Sequence, residues 1–136
     1  MTENIGFTPE FEKRLEAAIN RGVFRATELV REEILRRILQ DAKSGRIYMR
    51  RSVAHQASAP GEAPASDTGN LVRLITTRYF PDQFLGQVVS SAEYARSLEY
   101  GSSRVAPRPH MRVSLETKRV EVEQAISDEI RVELER

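Results

Sequence analysis

At 136 residues, with 40% hydrophobic and 30% charged residues, the chain is long enough for one domain with a real but modest core. It has no cysteine, which excludes disulfides, thiolate catalysis and cysteine-bearing zinc sites and fits synthesis in a reducing cytoplasm. Net charge is +1, with 11 basic and 8 acidic groups in residues 1–52 and 10 and 12 in residues 53–136, too weak a tilt for a dedicated nucleic-acid binder.

Residues 1–7 read as a tail to a single domain spanning 1–136; they have neither the basic nor the apolar region of a secretory signal. No apolar run approaches the roughly 20 residues that a membrane helix needs, so no membrane partner is expected. Thr8-Pro9-Glu10 then starts a helix: a hydroxyl cap, a proline at the first helical position and an acid near the positive dipole end. Phe11, Leu15, Ile19, Val23, Ala26, Val30, Ile34 and Ile38 recur at helical spacing, and Ser44-Gly45 closes the element. About 34 residues would span roughly 50 Å, against a diameter of about 35–40 Å for a globule of this size. Either Gly22 breaks or bends the helix, or part of its stripe packs on another chain.

Residues 46–53 read as one strand, with Ile47, Met49 and Val53 at even spacing and Arg50-Arg51 at its basic end. An Ala/Pro-rich loop follows over residues 54–69 and holds no large apolar residue that could anchor it. Residues 75–80 and 84–90 form a hairpin about Pro81-Asp82-Gln83, and Gly86 marks a bulge or a close backbone approach. Ser91 caps a short helix closed by Gly101, and Pro109 opens a final helix to about Glu135 with the stripe Met111, Leu115, Val122, Ile126, Ile130 and Leu134. The expected fold is α+β: a long N-terminal helix and a C-terminal helix packed on a small antiparallel β-sheet, with a long Ala/Pro-rich loop.

Asp67-Thr68-Gly69 matches the tripeptide of aspartic proteases, but it follows a flexible loop instead of lying among apolar strands, so a turn with glycine at positive φ is the better reading. His55 and His110 show no metal-ligand spacing. Arg36, Arg37, Lys43, Arg46, Arg50 and Arg51 place six basic residues within 16 positions, a cluster that could meet phosphate.

Ser44-Gly45-Arg46-Ile47-Tyr48, the run from His55 to Pro64, Asp67-Thr68-Gly69-Asn70-Leu71, Tyr94-Ala95 with Leu98-Glu99-Tyr100-Gly101, and Pro107-Arg108-Pro109 together resemble the neck or tail-completion family of long-tailed bacteriophages, also described as minor tail components. The resemblance covers about residues 44–116; the first helix fits it by position alone. Its motif residues here are Asp67, Thr68, Gly69, Tyr94, Ala95, Glu99, Tyr100, Gly101, Arg108 and Pro109, while His110 and Leu74 depart from the common pattern.

The resemblance implies a structural virion subunit, made in the bacterial cytoplasm, that forms a homo-oligomeric ring, usually a hexamer, where head meets tail. It implies no enzymatic activity and no cofactor. The implied partners are other neck and tail proteins, on the adaptor or head-closure side and on the tail-terminator or tail-tube side, and passing DNA held without sequence specificity. Within that frame Arg46, Arg50 and Arg51 are candidates to line the DNA channel. Ala57, Ser58, Ala59, Pro60, Gly61, Glu62, Ala63 and Pro64 form a candidate interface arm, mobile in the free subunit and ordered against a neighbour. Competing readings are a tail-terminator ring protein, a nucleic-acid-binding module using residues 36–51, and a dimeric hydrolase built on Asp67.

Overall fold

The computed structural model describes residues 6–66 and 69–136. Helix α1 runs over Pro9–Leu39, and the Thr8 side chain accepts the Phe11 N–H at 3.2 Å, with Pro9 in the first turn as expected. It ends one turn short of Ser44-Gly45: Gln40 is its C-cap, and Lys43 Nζ donates to the Arg37 carbonyl at 2.7 Å, taking the acceptor that another helical turn would use.

Gly22 neither breaks nor ends α1. It lies where α1 meets the last helix, α5 (Arg119–Leu134): a Cβ there would stand 2.7 Å from Ile126 Cα and 3.3 Å from the Ala125 carbonyl. The N-terminal half of α1 thus buries Ala18, Gly22 and Ala26, with Ala125 the buried small residue of α5, while Phe11, Leu15 and Ile19 are only half-buried. Small residues let the two backbones approach where large ones would hold them apart. Ion pairs flank the seam: Arg14 Nε to Glu133 Oε1 at 3.0 Å, Arg21 Nε to Glu129 Oε2 at 3.2 Å, and Arg25 Nη1 to Glu129 Oε1 at 3.0 Å.

The hairpin is β3 (Ile75–Phe80) and β4 (Leu85–Ser90), paired antiparallel and joined by a 3-10 turn over Pro81–Gln83. Gly86 sits opposite Tyr79 without a bulge and supplies the close approach instead, since a Cβ would overlap Thr27 Oγ1 on α1 and lie 3.1 Å from its Cβ. The short helix α2 (Asn70–Arg73) delivers Leu71 to the core, where Val30, Ile34, Ile38, Leu71, Ile75 and Ala92 pack with half-buried Val88, Leu98, Met111 and Val122.

Three further expectations change. The strand read over 46–53 is a separate ribbon, β1 (Ile47–Arg50) and β2 (Val53–Gln56), turning at Arg51 and Ser52, so residues 54–56 belong to a strand and not to the loop. Both turn residues have positive φ, 49° and 63°, as a two-residue hairpin turn with the right-handed twist requires.

The final helix starts at Arg112, not Pro109, and divides at Lys118 into α4 (Arg112–Thr117) and α5. Of its expected stripe, Leu115 and Leu134 are about half exposed, because the division rotates Leu115 out of line and the seam takes Ala125 and Glu133 instead. Helix α3 (Ala95–Tyr100) carries no Ser91 cap: the Ser91 N–H donates to the Leu74 carbonyl, whereas Gly101, at φ 79°, closes the helix as expected. The fold is α+β, with α1 packed against α5, β3 and β4.

Candidate assembly surface

The Ala/Pro loop is fastened to its own chain. The β1–β2 ladder continues into it, with the Gly45 N–H donating to the Ala57 carbonyl and the Ala57 N–H to the Arg46 carbonyl, both at 2.9 Å. Glu62, the one acid of residues 57–64, accepts from the Ala59 N–H at 2.7 Å, the Ser44 hydroxyl at 2.7 Å and the Ser44 N–H at 3.0 Å. Those three donors, Ala59 first, hold its carboxyl well below the usual carboxylate range, at about 2. On the far side the Gly61 N–H donates to the Pro107 carbonyl at 2.9 Å. Arg108 donates through Nε to Ser58 Oγ at 2.8 Å and through Nη2 to the Ser58 carbonyl at 3.2 Å.

Ser58, Ala63 and Pro64 are buried by these contacts, and only Pro60 and Gly61 of residues 57–64 are fully open to solvent. Within the described residues the loop is thus packed on its own chain, where polar anchors replace the missing apolar ones.

Glu99 and His110 form a second knot. The Glu99 carboxylate accepts the backbone N–H groups of His110, Met111 and Arg112, each at 2.9 Å, as α4 begins. Burial pushes the Glu99 carboxyl up, but the three N–H donors outweigh it and leave it below its ordinary value. His110 is wholly buried, with Nδ1 3.1 Å from the Arg108 carbonyl and 3.2 Å from Glu99 Oε2. Its Nε2 has no partner among the described residues, and burial pushes its pKa down despite the Arg108 carbonyl and the Glu99 charge. Neutral His110 thus fills a wholly buried position just before α4.

A cleft of about 350 Å³ gathers residues far apart in the chain: Arg50 and Tyr48 from β1, Ser58 and Pro64 from the loop, Gly69, Tyr94, and Arg108. Gly69 has φ 76°, the positive-φ turn expected of it, while Asp67 and Thr68 lie outside the described residues. Ala95 opens α3, Tyr100 is exposed with the Arg112 guanidinium 6.0 Å from its ring centroid, and Pro109 links the two knots.

The basic cluster of residues 36–51 does not stay together. Arg36 and Arg37 both pair with Glu33, Arg36 also with Asp41, and Lys43 is turned onto the end of α1. Arg46, Arg50 and Arg51 remain exposed on or beside the β1–β2 ribbon. Beside them Ile47, Met49 and Val53 are 64%, 65% and 55% exposed, which the sequence pattern alone would have placed against a core.

His55 stacks on Tyr48 with ring centroids 5.8 Å apart, and among the described residues no three acids or histidines are grouped as metal ligands. No described helix is long and apolar enough to cross a membrane. No protein-family model, curated protein or solved structure matches the chain.

Proposed function

We propose that the chain is a structural subunit of the neck of a long-tailed phage or a phage-like particle, forming a homo-oligomeric ring between head and tail with neck and tail proteins on either side. The observation that carries this reading is the β1–β2 ribbon. It presents three large apolar side chains and three arginines to solvent on a two-stranded element, which is marginal by itself in water. An exposed apolar ribbon of this kind is a contact waiting for a partner. The motif residues Arg108 and Glu99 support the same reading, since Arg108 braces the ribbon's base through Ser58 and Glu99 braces the start of α4.

Native mass spectrometry and negative-stain imaging test the proposal, with and without neighbouring neck proteins. A symmetric ring is the expected result. Monomers alone under both conditions overturn it.

A further inference from the structure

An apolar groove of about 650 Å³ runs over α1 between β4 and the α4–α5 pair. Its floor is Val23, Ala26 and Val30, and its far wall includes Leu115 and Val122. Its near wall is six consecutive residues, Phe84 to Val89. Alternate residues of a strand point to opposite faces, so a groove lined by six in succession follows the strand's edge and not one of its faces.

That edge is bare. The Ser91 N–H donates to the Leu74 carbonyl at 3.0 Å in continuation of the β3–β4 ladder. In the alternating antiparallel pattern, the backbone groups of Gly86, Val88 and Ser90 then point away from β3. None of these groups has another hydrogen bond among the described residues. Nor does β4, Leu-Gly-Gln-Val-Val-Ser, carry the lysine, proline or bulge that usually blunts an open edge.

We infer that this groove accepts the β1–β2 ribbon of a second copy of the chain, whose β1 adds as a third strand to the edge of β4 and lays Ile47 and Met49 over the α1 floor. The inference rests on the ring reading and names its contact. Strand addition supplies backbone hydrogen bonds for affinity and alternate side chains for specificity.

Charge agrees with the pairing. The ribbon and its base carry Arg46, Arg50 and Arg51 with no acid between residues 42 and 61. Glu121 and Glu123, the sequence neighbours of the groove's Val122, lie just outside its lining, are exposed, and make no ion pair among the described residues. This takes Arg51 from the DNA channel to the subunit interface.

Size also selects a second copy in a closed assembly. A four-residue strand buries on the order of a few hundred Å² on each side, short of the roughly 1,200 Å² in total that holds a stable pair. Donor and acceptor share no residue, so the contact is head-to-tail, and closing a ring lets every copy give and receive one ribbon.

The absence of cysteine makes the test direct. Met49→Cys protein is mixed with Val23→Cys protein under mild oxidation, and a Met49→Cys, Val23→Cys double variant is oxidised alone. The mixture is expected to cross-link as heterodimer in preference to either homodimer, and the double variant to give a ladder of oligomers. Met49→Asp, at an exposed position, is expected to weaken association at least about tenfold in sedimentation with an unchanged thermal melt.

Oligomers that form normally with Met49→Asp, and that give no Met49–Val23 cross-link above a Met49→Cys plus Ser102→Cys control, overturn this contact while leaving the ring reading standing. A wild-type chain that stays monomeric at all concentrations and beside its neck partners overturns both.

Discussion

The two hairpins of this chain are built alike and used oppositely. Both are regular antiparallel ribbons of two strands. In β3–β4 one face rests on α1: Ile75 is fully buried, Val88 is half-buried against the core, and Gly86 is there so that Thr27 can touch the backbone. In β1–β2 only Tyr48 and His55 are half-buried, and the apolar side chains of Ile47, Met49 and Val53 face solvent. Alternating hydrophobicity therefore marks a strand that will be covered without saying by what. The chain covers one ribbon itself and leaves the other bare.

Mutations at matched positions sharpen that contrast. Ile75→Ala should cost about 2–5 kcal/mol of folding stability, the range for truncating a buried aliphatic side chain, seen as a lower urea midpoint. Gly86→Val should cost about 1–3 kcal/mol or more, because the new side chain must displace Thr27 or lift the hairpin from α1. Met49→Ala on the other ribbon should fall within about 0.5 kcal/mol in the same assay. A loss at Met49 equal to that at Ile75 would erase the distinction.

Acid should separate the braces of the two regions. Glu62 and Glu99 have folded values below their ordinary one, so the unfolded chain binds more protons between the two values. Their contribution is full above pH ~4.5 and is lost as pH falls, for Glu62 through about 2. His110, also lowered, adds a loss that begins just below pH ~6.5, because a buried neutral ring must charge. His110→Phe should flatten the melting temperature between pH 6.5 and 5 and leave the carboxylate decline below it. Glu62→Gln should be the mildest in global stability and raise hydrogen exchange locally at Ala59 and Ser44, whose N–H groups lose a charged acceptor.

The long elements were legible because their periodicity is repeated. Val30, Ile34 and Ile38 announce α1, and Pro81-Asp82-Gln83 between two apolar runs announces the β3–β4 hairpin. The α1–α5 seam was not legible, since Ala18, Gly22 and Ala26 carry little hydrophobic weight and Gly22 reads as a breaker until its neighbour is known.

The Arg51-Ser52 turn was missed for a related reason: neither residue favours positive φ, so the turn carries none of the usual Asn-Gly signal. The loop hid its order because polar anchors leave no pattern. Glu62, a lone acid within an Ala/Pro run and 18 residues from Ser44, was the one available sign.

The contact at Gly22 also has a mechanical side. Where helices meet through side chains, rotamer changes let them slide by small steps. Where Cα-bearing backbone meets backbone, as Gly22 does Ile126, no such soft displacement exists. The ion pairs at Glu129 and Glu133 brace the same seam, so α1 and α5 bend or shift as one beam. At 16 residues α5 spans about 24 Å, so the seam braces about half of the roughly 46 Å length of α1.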